Sequence, residues 1–327
     1  MTRHRILGKS LVLLASVMVL SGCNTGPAVT GTFDRNYTVT GPIRLELTNA
    51  AGDVDIRGSA DGKVHVHADV RASGIGFDNP RKRLDDTLSN PPVEQRGDTI
   101  RVGKDMSHMR NLSISYTILV PRDTEVSTSV ASGAETIRDV RGPVKVQSAS
   151  GSVRVEKIER DAQLTTASGS VSASEIGGDV RISTLSGSVA ISNIKGAVHV
   201  SALAGVARVS APGGRVEADT GSGEVEIVGA TKDVKAHAKS GRVFVQGNPG
   251  ASSYWELKTM SGAVQFSVPS SANFQLSAEA VTGEIRADVP IVVEEQGKHS
   301  LRAHMGSGGG RVEVHTVSGE IRISRTN

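Results

Sequence analysis

The sequence predicts an all-β fold: a parallel β-helix or β-solenoid with about 18 residues per coil and a small capping insertion. Two observations lead there. A Ser-Gly pair recurs every 18 residues at Ser132-Gly133, Ser150-Gly151, Ser168-Gly169, Ser186-Gly187, Ser222-Gly223 and Ser240-Gly241, with Ala204-Gly205 as a substituted copy. Between the pairs, aliphatic and mostly β-branched residues alternate with polar ones, which is the period of a strand.

Each unit reads as two nonapeptides, each a short strand and a corner. With the Ser as position one, the pattern places apolar side chains inward at positions four, six, nine, thirteen, fifteen and eighteen: Val189, Ile191, Ile194, Val198, Val200 and Leu203 in one coil. Neighbouring coils repeat it with Val153, Val155 and Ile158, and with Val180, Ile182 and Leu185. One coil has too few inward side chains to offset the ordering of its backbone, so coils must stack, like residue over like, at roughly 4.8 Å.

From the N-terminus, Arg3, Arg5 and Lys9 precede an apolar run from Leu11 to Leu20. That run is about half of what a bilayer span needs, so residues 1–22 read as a signal peptide. Leu20-Ser21-Gly22-Cys23 resembles a bacterial lipobox. The resemblance implies that Cys23 becomes the mature N-terminus and carries a diacylglycerol and an N-acyl chain, a multi-chain anchor on a membrane. The address that follows is the bacterial cell envelope. In a Gram-negative cell Asn24 favours the outer membrane and its periplasmic face; in a Gram-positive cell the anchor sits on the outer face of the cytoplasmic membrane.

Residues 23–42 read as the lipidated N-terminus and a linker, and residues 43–327 as a single solenoid domain. Gly52-Asp53-Val54-Asp55-Ile56 and Gly62-Lys63-Val64-His65-Val66 carry the repeat signature early, so the solenoid starts near Ile43. Between about 71 and 111 the period vanishes. Asn79-Pro80 opens a short helix running to about Leu88, a hairpin is expected around Gly97, and Leu112 to Val120 returns as a strand ended by Pro121. This insertion is expected to cover an end or flank of the stack. Downstream, Ser261-Gly262 and Thr282-Gly283 each arrive after 21 residues and Ser318-Gly319 after 36, twice the basic period. Three extra corner residues put Trp255, Leu257 and Met260 inward, and likewise Leu276, Ala278 and Val281.

Cys23 is the only cysteine, which removes disulfides and thiolate chemistry. Lys plus Arg number 37 and Asp plus Glu 34, and the signal segment holds three of the basic residues, so the mature chain is neutral with histidines uncharged. With 3% aromatic residues it has neither the basic footprint nor the stacking platforms of a nucleic-acid binder. No nucleophile elbow, zinc-protease helix or phosphate loop occurs, Gly306-Ser307-Gly308-Gly309-Gly310 reads as a corner, and no cofactor is implied. His65 and His67, with Asp69, share the outward face of one strand, and the histidine pair is a weak candidate surface metal site without a third ligand at a matching spacing. Arg81, Lys82 and Arg83 open the expected helix as a solvated charge run or a contact for an anionic lipid or polymer. The outward columns carry mixed chemistry: position fourteen runs Lys145, Gln163, Arg181, His199, Glu217, Lys235.

The order of parts, a Gly-x-Val-x-Ile start at Gly52, a variable insertion, a strand ending in Val120-Pro121-Arg122 and then serial Ser-Gly-x-Val-x-Val units, resembles a bacterial β-strand-repeat family of unknown function grouped with candidate adhesins. The resemblance covers Ile43 to Asn327 and implies a right-handed parallel β-helix without a family active site. The expected function is a non-enzymatic, lipid-anchored envelope solenoid, adhesin-like or an interaction scaffold, whose partners are the membrane and an envelope protein or polysaccharide. Two alternatives stand beside it. One is a β-helix enzyme acting on polysaccharide, and the other is an assembly module pairing through an open end coil at Glu320 to Ser324.

Overall fold

The computed structural model describes residues 25–75, 79–103 and 111–326. The expected signal peptide, residues 1–22, and Cys23 lie outside the described residues. The chain opens with β1 (Thr25–Thr38), β2 (Arg44–Asn49), β3 (Val54–Ser59) and β4 (Lys63–Ile75), then helix α1 (Pro80–Ser89), β5 (Val93–Arg96), β6 (Thr99–Val102) and β7 (Leu112–Pro121). The regular repeats supply β8 (Glu125–Ser132), β9 (Glu135–Val140), β10 (Val144–Ser150), β11 (Val153–Ile158), β12 (Ala162–Ser168), β13 (Val171–Ile176), β14 (Val180–Ser186) and β15 (Val189–Ile194). In β16 (Val198–Pro212) and β17 (Val216–Ala230) both strands of a coil run together. They lead to β18 (Val234–Ser240), β19 (Val243–Gly247), β20 (Tyr254–Ser261) and β21 (Val264–Val268). The end of the chain holds β22 (Phe274–Thr282), β23 (Ile285–Ala287), β24 (Val292–Gln296), β25 (Ser300–Met305), β26 (Gly310–Ser318) and β27 (Ile321–Arg325).

These strands build a parallel β-solenoid of two facing sheets. One sheet stacks β8, β10, β12, β14, β16, β17, β18 and β20, the other β9, β11, β13, β15, β16, β17, β19 and β21, all in parallel register with like positions opposed. Val153 lies between Glu135 and Val171, and Val171 beside Val189, so the valine column is vertical. The core is the space between the sheets, filled by side chains such as Val155, Ile182, Ile191 and Val200. The three extra residues of the 21-residue coil fall in the corner between β19 and β20, since Val234 opposes Trp255. Trp255 is fully buried, packs edge to face on Phe266 at 5.6 Å, and gives its indole N–H to the Lys232 carbonyl at 2.7 Å.

The two corners of a coil are chemically different, and this corrects the symmetric nonapeptide reading. At position eight a residue sits in the left-handed region: Asp139, Lys157, Glu175, Asn193 and Ala211 have φ between 49° and 59°. That reversal breaks the alternation, so the next residue, such as Ile158, Ile176 or Ile194, turns inward. At the other corner the turn is made by the glycine of the Ser-Gly pair, with φ of 129° at Gly151, 123° at Gly169 and 137° at Gly187. The strand before it keeps its alternation through positions thirteen, fifteen and seventeen, so Thr166, Thr184 and Ala202 are buried. Position eighteen therefore faces outward. Leu185 is 59% exposed, Leu203 62%, Met260 60% and Val281 50%, against the inward placement expected for them.

Glycine is required at this corner twice over. A Cβ on Gly169 would lie 1.9 Å from the carbonyl oxygen of Gly151, one coil away, and the same collision recurs at Gly187 against Gly169 and at Gly205 against Gly187. The bonds across the corner are main-chain ones, from Gly133 N to the Ser150 carbonyl at 3.2 Å and from Gly151 N to the Ser168 carbonyl at 3.3 Å.

Layer order departs from chain order at both ends. β2 and β3 lie inside the stack, paired with β8 and β9 on one side and with β6 and β7 on the other. β4, expected as a coil strand from its Gly62 signature, runs antiparallel on β7 because it has to return across the end layer. Residues 25–38, expected as linker, form β1, antiparallel on β4 over its full length. Helix α1, capped by the Asn79 side chain on Lys82 N at 3.2 Å, buries Leu84 against this end, and β5 and β6 form the hairpin about Gly97. At the far end β26 and β27 insert between β20/β21 and β22/β23, while β25 folds back antiparallel on β22 and β24 on β25. The interval of 36 residues thus holds a returning hairpin, not a further coil in sequence. The segment Glu320 to Ser324 is interior: Ile321 is paired with Val264 and with Ile285, so the proposed open end coil is closed on both edges.

Two substitutions separate the corner types. Gly169→Ala forces both a left-handed alanine and a backbone collision, and is expected to cost about 3 kcal/mol. Lys157→Gly relieves a left-handed non-glycine residue and leaves stability within about 1 kcal/mol of the parent. Denaturant melts of the two variants check the contrast.

Candidate functional surface

Because position eighteen faces out at every coil, its side chains stack into a column along one corner of the solenoid. Strand register gives its order: Ala131, Ala149, Ala167, Leu185, Leu203, Gly221, Lys239, Met260, Val317 and Val281. Val317 is 40% exposed, so the large apolar members are all solvent-facing. Position sixteen, two residues earlier on the same strands, also faces out: Thr165, Ser183, Ser201, Asp219, His237 and Lys258. Between the two rows lie the buried side chains of Thr166, Thr184, Ala202, Thr220 and Ala238.

The result is an open groove of about 740 Å³ that crosses the strands from β12 to β26. Its polar wall carries uncharged hydroxyls at one end and charge at the other. His237 Nδ1 lies 3.3 Å from Asp219 and its Nε2 3.5 Å from Glu256. Lys258 is bonded to Glu256 and, with His237, holds that carboxyl below the usual carboxylate range. His315 lies 3.7 Å from Glu279. Lys239, in the apolar column itself, has no acidic partner among the described residues. A Cβ on Gly221 would meet the Leu203 carbonyl oxygen at 2.6 Å and Leu203 Cδ1 at 3.2 Å, so the column is notched between Leu203 and Lys239.

A second groove, about 660 Å³, follows the left-handed corner and is lined by Arg122, Asp139, Arg141, Lys157, Glu159 and Glu175 among others. Its charges are of both signs, and Arg141 is paired with Glu159 at 3.1 Å.

The residues singled out in the sequence lie elsewhere. His65 and His67 are on β4 at the N-terminal end, where His65 Nδ1 meets Asn36 Oδ1 at 2.7 Å and His67 Nδ1 meets Asp34 Oδ1 at 2.8 Å. Asp69 is 3.8 Å from His67 Nε2, and no group of three or more such side chains among the described residues forms a metal-holding arrangement. Arg81 faces Asp85 at 3.5 Å, and Arg83 donates to the Ser73 carbonyl at 3.0 Å. Gly306 to Gly310 connects β25 to β26, with Ser307 N bonded to Asn273 Oδ1.

The profile of the Toastrack DUF4097 family matches residues 43–324, nearly the whole of the solenoid. The chain belongs to this family. No curated protein matches it. Among solved structures, a "putative adhesin" from Bacteroides fragilis NCTC 9343 is similar over 90% of this chain and 97% of that one, at 13% identity and a TM-score of 0.34. A "putative cell adhesion protein" from Clostridium sporogenes ATCC 15579 is similar over 91% and 100%, at 12% identity and a TM-score of 0.18. Likeness at that level carries nothing about what this Toastrack chain binds.

One buried residue escaped the sequence reading. Glu135 stands at position four, in the column of Val54 and Val153, and is 1% exposed. The Thr128 hydroxyl donates to its Oε2 at 2.6 Å. Burial pushes its carboxyl up from the ordinary glutamate value, opposed by the hydroxyls of Thr128 and Ser148. The signal was legible, since counting from Ser132 puts a glutamate where the next three coils have valine.

A raised carboxyl stabilises the fold in full below its unfolded value, and that contribution is lost as pH climbs through the folded one. Glu135→Gln, which cannot ionise, is therefore expected to melt a few degrees above the parent at neutral pH. The advantage shrinks as pH is lowered towards 4.5. Thermal melts of both proteins across that range measure the convergence; a constant offset contradicts it.

Proposed function

We propose that this protein is a non-enzymatic, lipid-anchored solenoid of the bacterial cell envelope, adhesin-like in presenting a rigid binding surface to a partner. The observation that carries the reading is the column of exposed apolar side chains along the groove, Leu185 and Leu203 on one side of the Gly221 notch and Met260, Val317 and Val281 beyond Lys239. Exposed Leu, Met and Val side chains aligned along one corner form a surface suited to contact, whereas isolated apolar residues would need no explanation. The ionisable groups along the groove pair among themselves, Asp219 with His237 and Glu256 with Lys258, and this arrangement favours binding over hydrolysis of a polysaccharide.

Position in the stack supports a role for the anchor. β1 is the outermost strand of its sheet and begins two residues after Cys23. Acyl chains on Cys23 would hold the N-terminal end of the rod at the bilayer. Seven strand spacings, roughly 34 Å, separate β1 from the layer of β15 where the large apolar residues begin. The groove would then stand clear of the membrane, on the outer membrane's periplasmic face in a Gram-negative cell or outside the cytoplasmic membrane in a Gram-positive one.

Cys23→Ala is expected to abolish incorporation of labelled palmitate and to move the protein from the membrane to the soluble fraction; retained label would refute the anchor. A photo-crosslinking residue in place of Ser201, on the groove wall, is expected to capture envelope components that the same residue in place of Arg154, on the opposite sheet, does not. Equal capture at both positions would remove the groove from the function.

A further inference from the structure

We infer that the groove is a binding site for a single acyl chain bearing an anionic head, with the chain along Leu203 and Leu185 and the head at Lys239. This deepens the proposed function by naming the chemistry of what the groove takes, and it rests on that reading only for its biological setting.

The direction of the groove selects the class of occupant. It runs along the rod, across strands whose main-chain groups are already paired to neighbours on both sides. An extended peptide laid there would find no free strand edge and would leave its own N–H and C=O groups without main-chain partners. A sugar would look for aromatic platforms, and no Phe, Tyr or Trp lines this groove. A hydrocarbon chain needs neither. From Leu185 to Met260 the column spans four strand spacings, about 19 Å. One acyl chain of a bilayer leaflet extends about 15 Å.

The charge pattern fixes the polarity of the occupant. The half of the groove at Leu185 and Leu203 is lined by Thr165, Thr166, Ser183, Thr184, Ser201 and Ala202, all uncharged. Beyond the Gly221 notch comes Lys239, exposed and without an acidic partner among the described residues, whereas Lys258 and His237 are already engaged by Glu256 and Asp219. A carboxylate or phosphate at the end of the chain meets the free cation there. The protein's own anchor is excluded by distance. A chain of about 15 Å plus two residues at about 3.5 Å each does not cover the roughly 34 Å from β1 to Leu185.

The test uses the full chain carrying Cys23→Ala, purified without detergent and titrated with cis-parinaric acid, a polyene carboxylic acid whose fluorescence rises in apolar surroundings. Saturable binding of one probe per chain is expected, displaced better by hexadecanoic acid than by hexadecan-1-ol. Leu203→Asp should weaken binding at least tenfold, and Lys239→Glu should abolish or reverse the preference for acid over alcohol. Both positions are exposed, so unchanged melting curves confirm that the variants fold. Absence of saturable binding, wild-type affinity in Leu203→Asp, or an unaltered acid preference in Lys239→Glu each overturns the assignment. A wild-type dimer in sedimentation equilibrium that Leu203→Asp converts to monomer, with no probe bound, overturns it in favour of a second copy of this chain. Those failures leave the release and crosslinking results standing, so the acyl site and the scaffold role fail separately.

Discussion

The solenoid depends on a column of glycines whose hydrogen atoms face the main chain of the next coil. Carbonyl oxygens of successive glycines sit where a Cβ would be, at 1.9 Å from its ideal position at Gly169, Gly187 and Gly205. Such close approach works only if every coil turns at the same residue with the same positive φ, which locks the vertical register of everything between. Register in turn decides which side chains meet. Once coils cannot slip by a residue, valine stacks on valine, and each outward position becomes a column with a chemistry of its own. The groove is a consequence of that lock, since position eighteen precedes the glycine corner and is held outward in each layer.

How much of this was legible in the sequence differs by level. The period, the strands, the short helix after Asn79, the hairpin at Gly97 and the buried Trp255 all follow from local patterns, because glycine spacing and alternation are local physical requirements. The groove was not legible, and the reason is specific. Treating the unit as two equivalent nonapeptides assumed that both corners work alike, whereas one turns through a left-handed residue such as Lys157 and the other through glycine. Only the first shifts the alternation, so Ile194 turns in and Leu203 does not. The end layers were hidden for a different reason. Insertion of β26 and β27 between β21 and β23 is a long-range event, and a spacing of 36 residues has the same arithmetic whether it is two coils or a hairpin and a return.

The rearranged ends answer a general weakness of solenoids. A stack of parallel strands finishes in open edges that another chain can extend. Here both ends place a later or earlier segment outside the expected last layer and then turn a strand back antiparallel across it, β4 and β1 at one end, β25 and β24 at the other. The outermost β24 is short and carries Glu294 and Glu295 beside its exposed Val292 and Val293, a charged edge that discourages pairing. Growth by end-to-end addition is thereby disfavoured, and recognition is left to the flanks of the rod.

On those flanks, stacking also neutralises charge. Pairs one coil apart, Arg208 with Glu226 at 2.6 Å and Arg141 with Glu159 at 3.1 Å, join opposite signs in adjacent layers, and Glu217 with Lys235 at 3.9 Å does the same on the other sheet. Each exposed pair is worth at most about 1 kcal/mol, so their effect on stability is small. Their effect on the surface is larger, because a face whose charges are answered by their own neighbours has little field left with which to steer or hold a partner. The position-eighteen corner lacks that self-satisfaction: its aliphatic side chains meet water and, among the described residues, its lysine meets no acid. What a rigid rod of mixed charge offers to another molecule is therefore concentrated where its own stacking rules leave groups without complements.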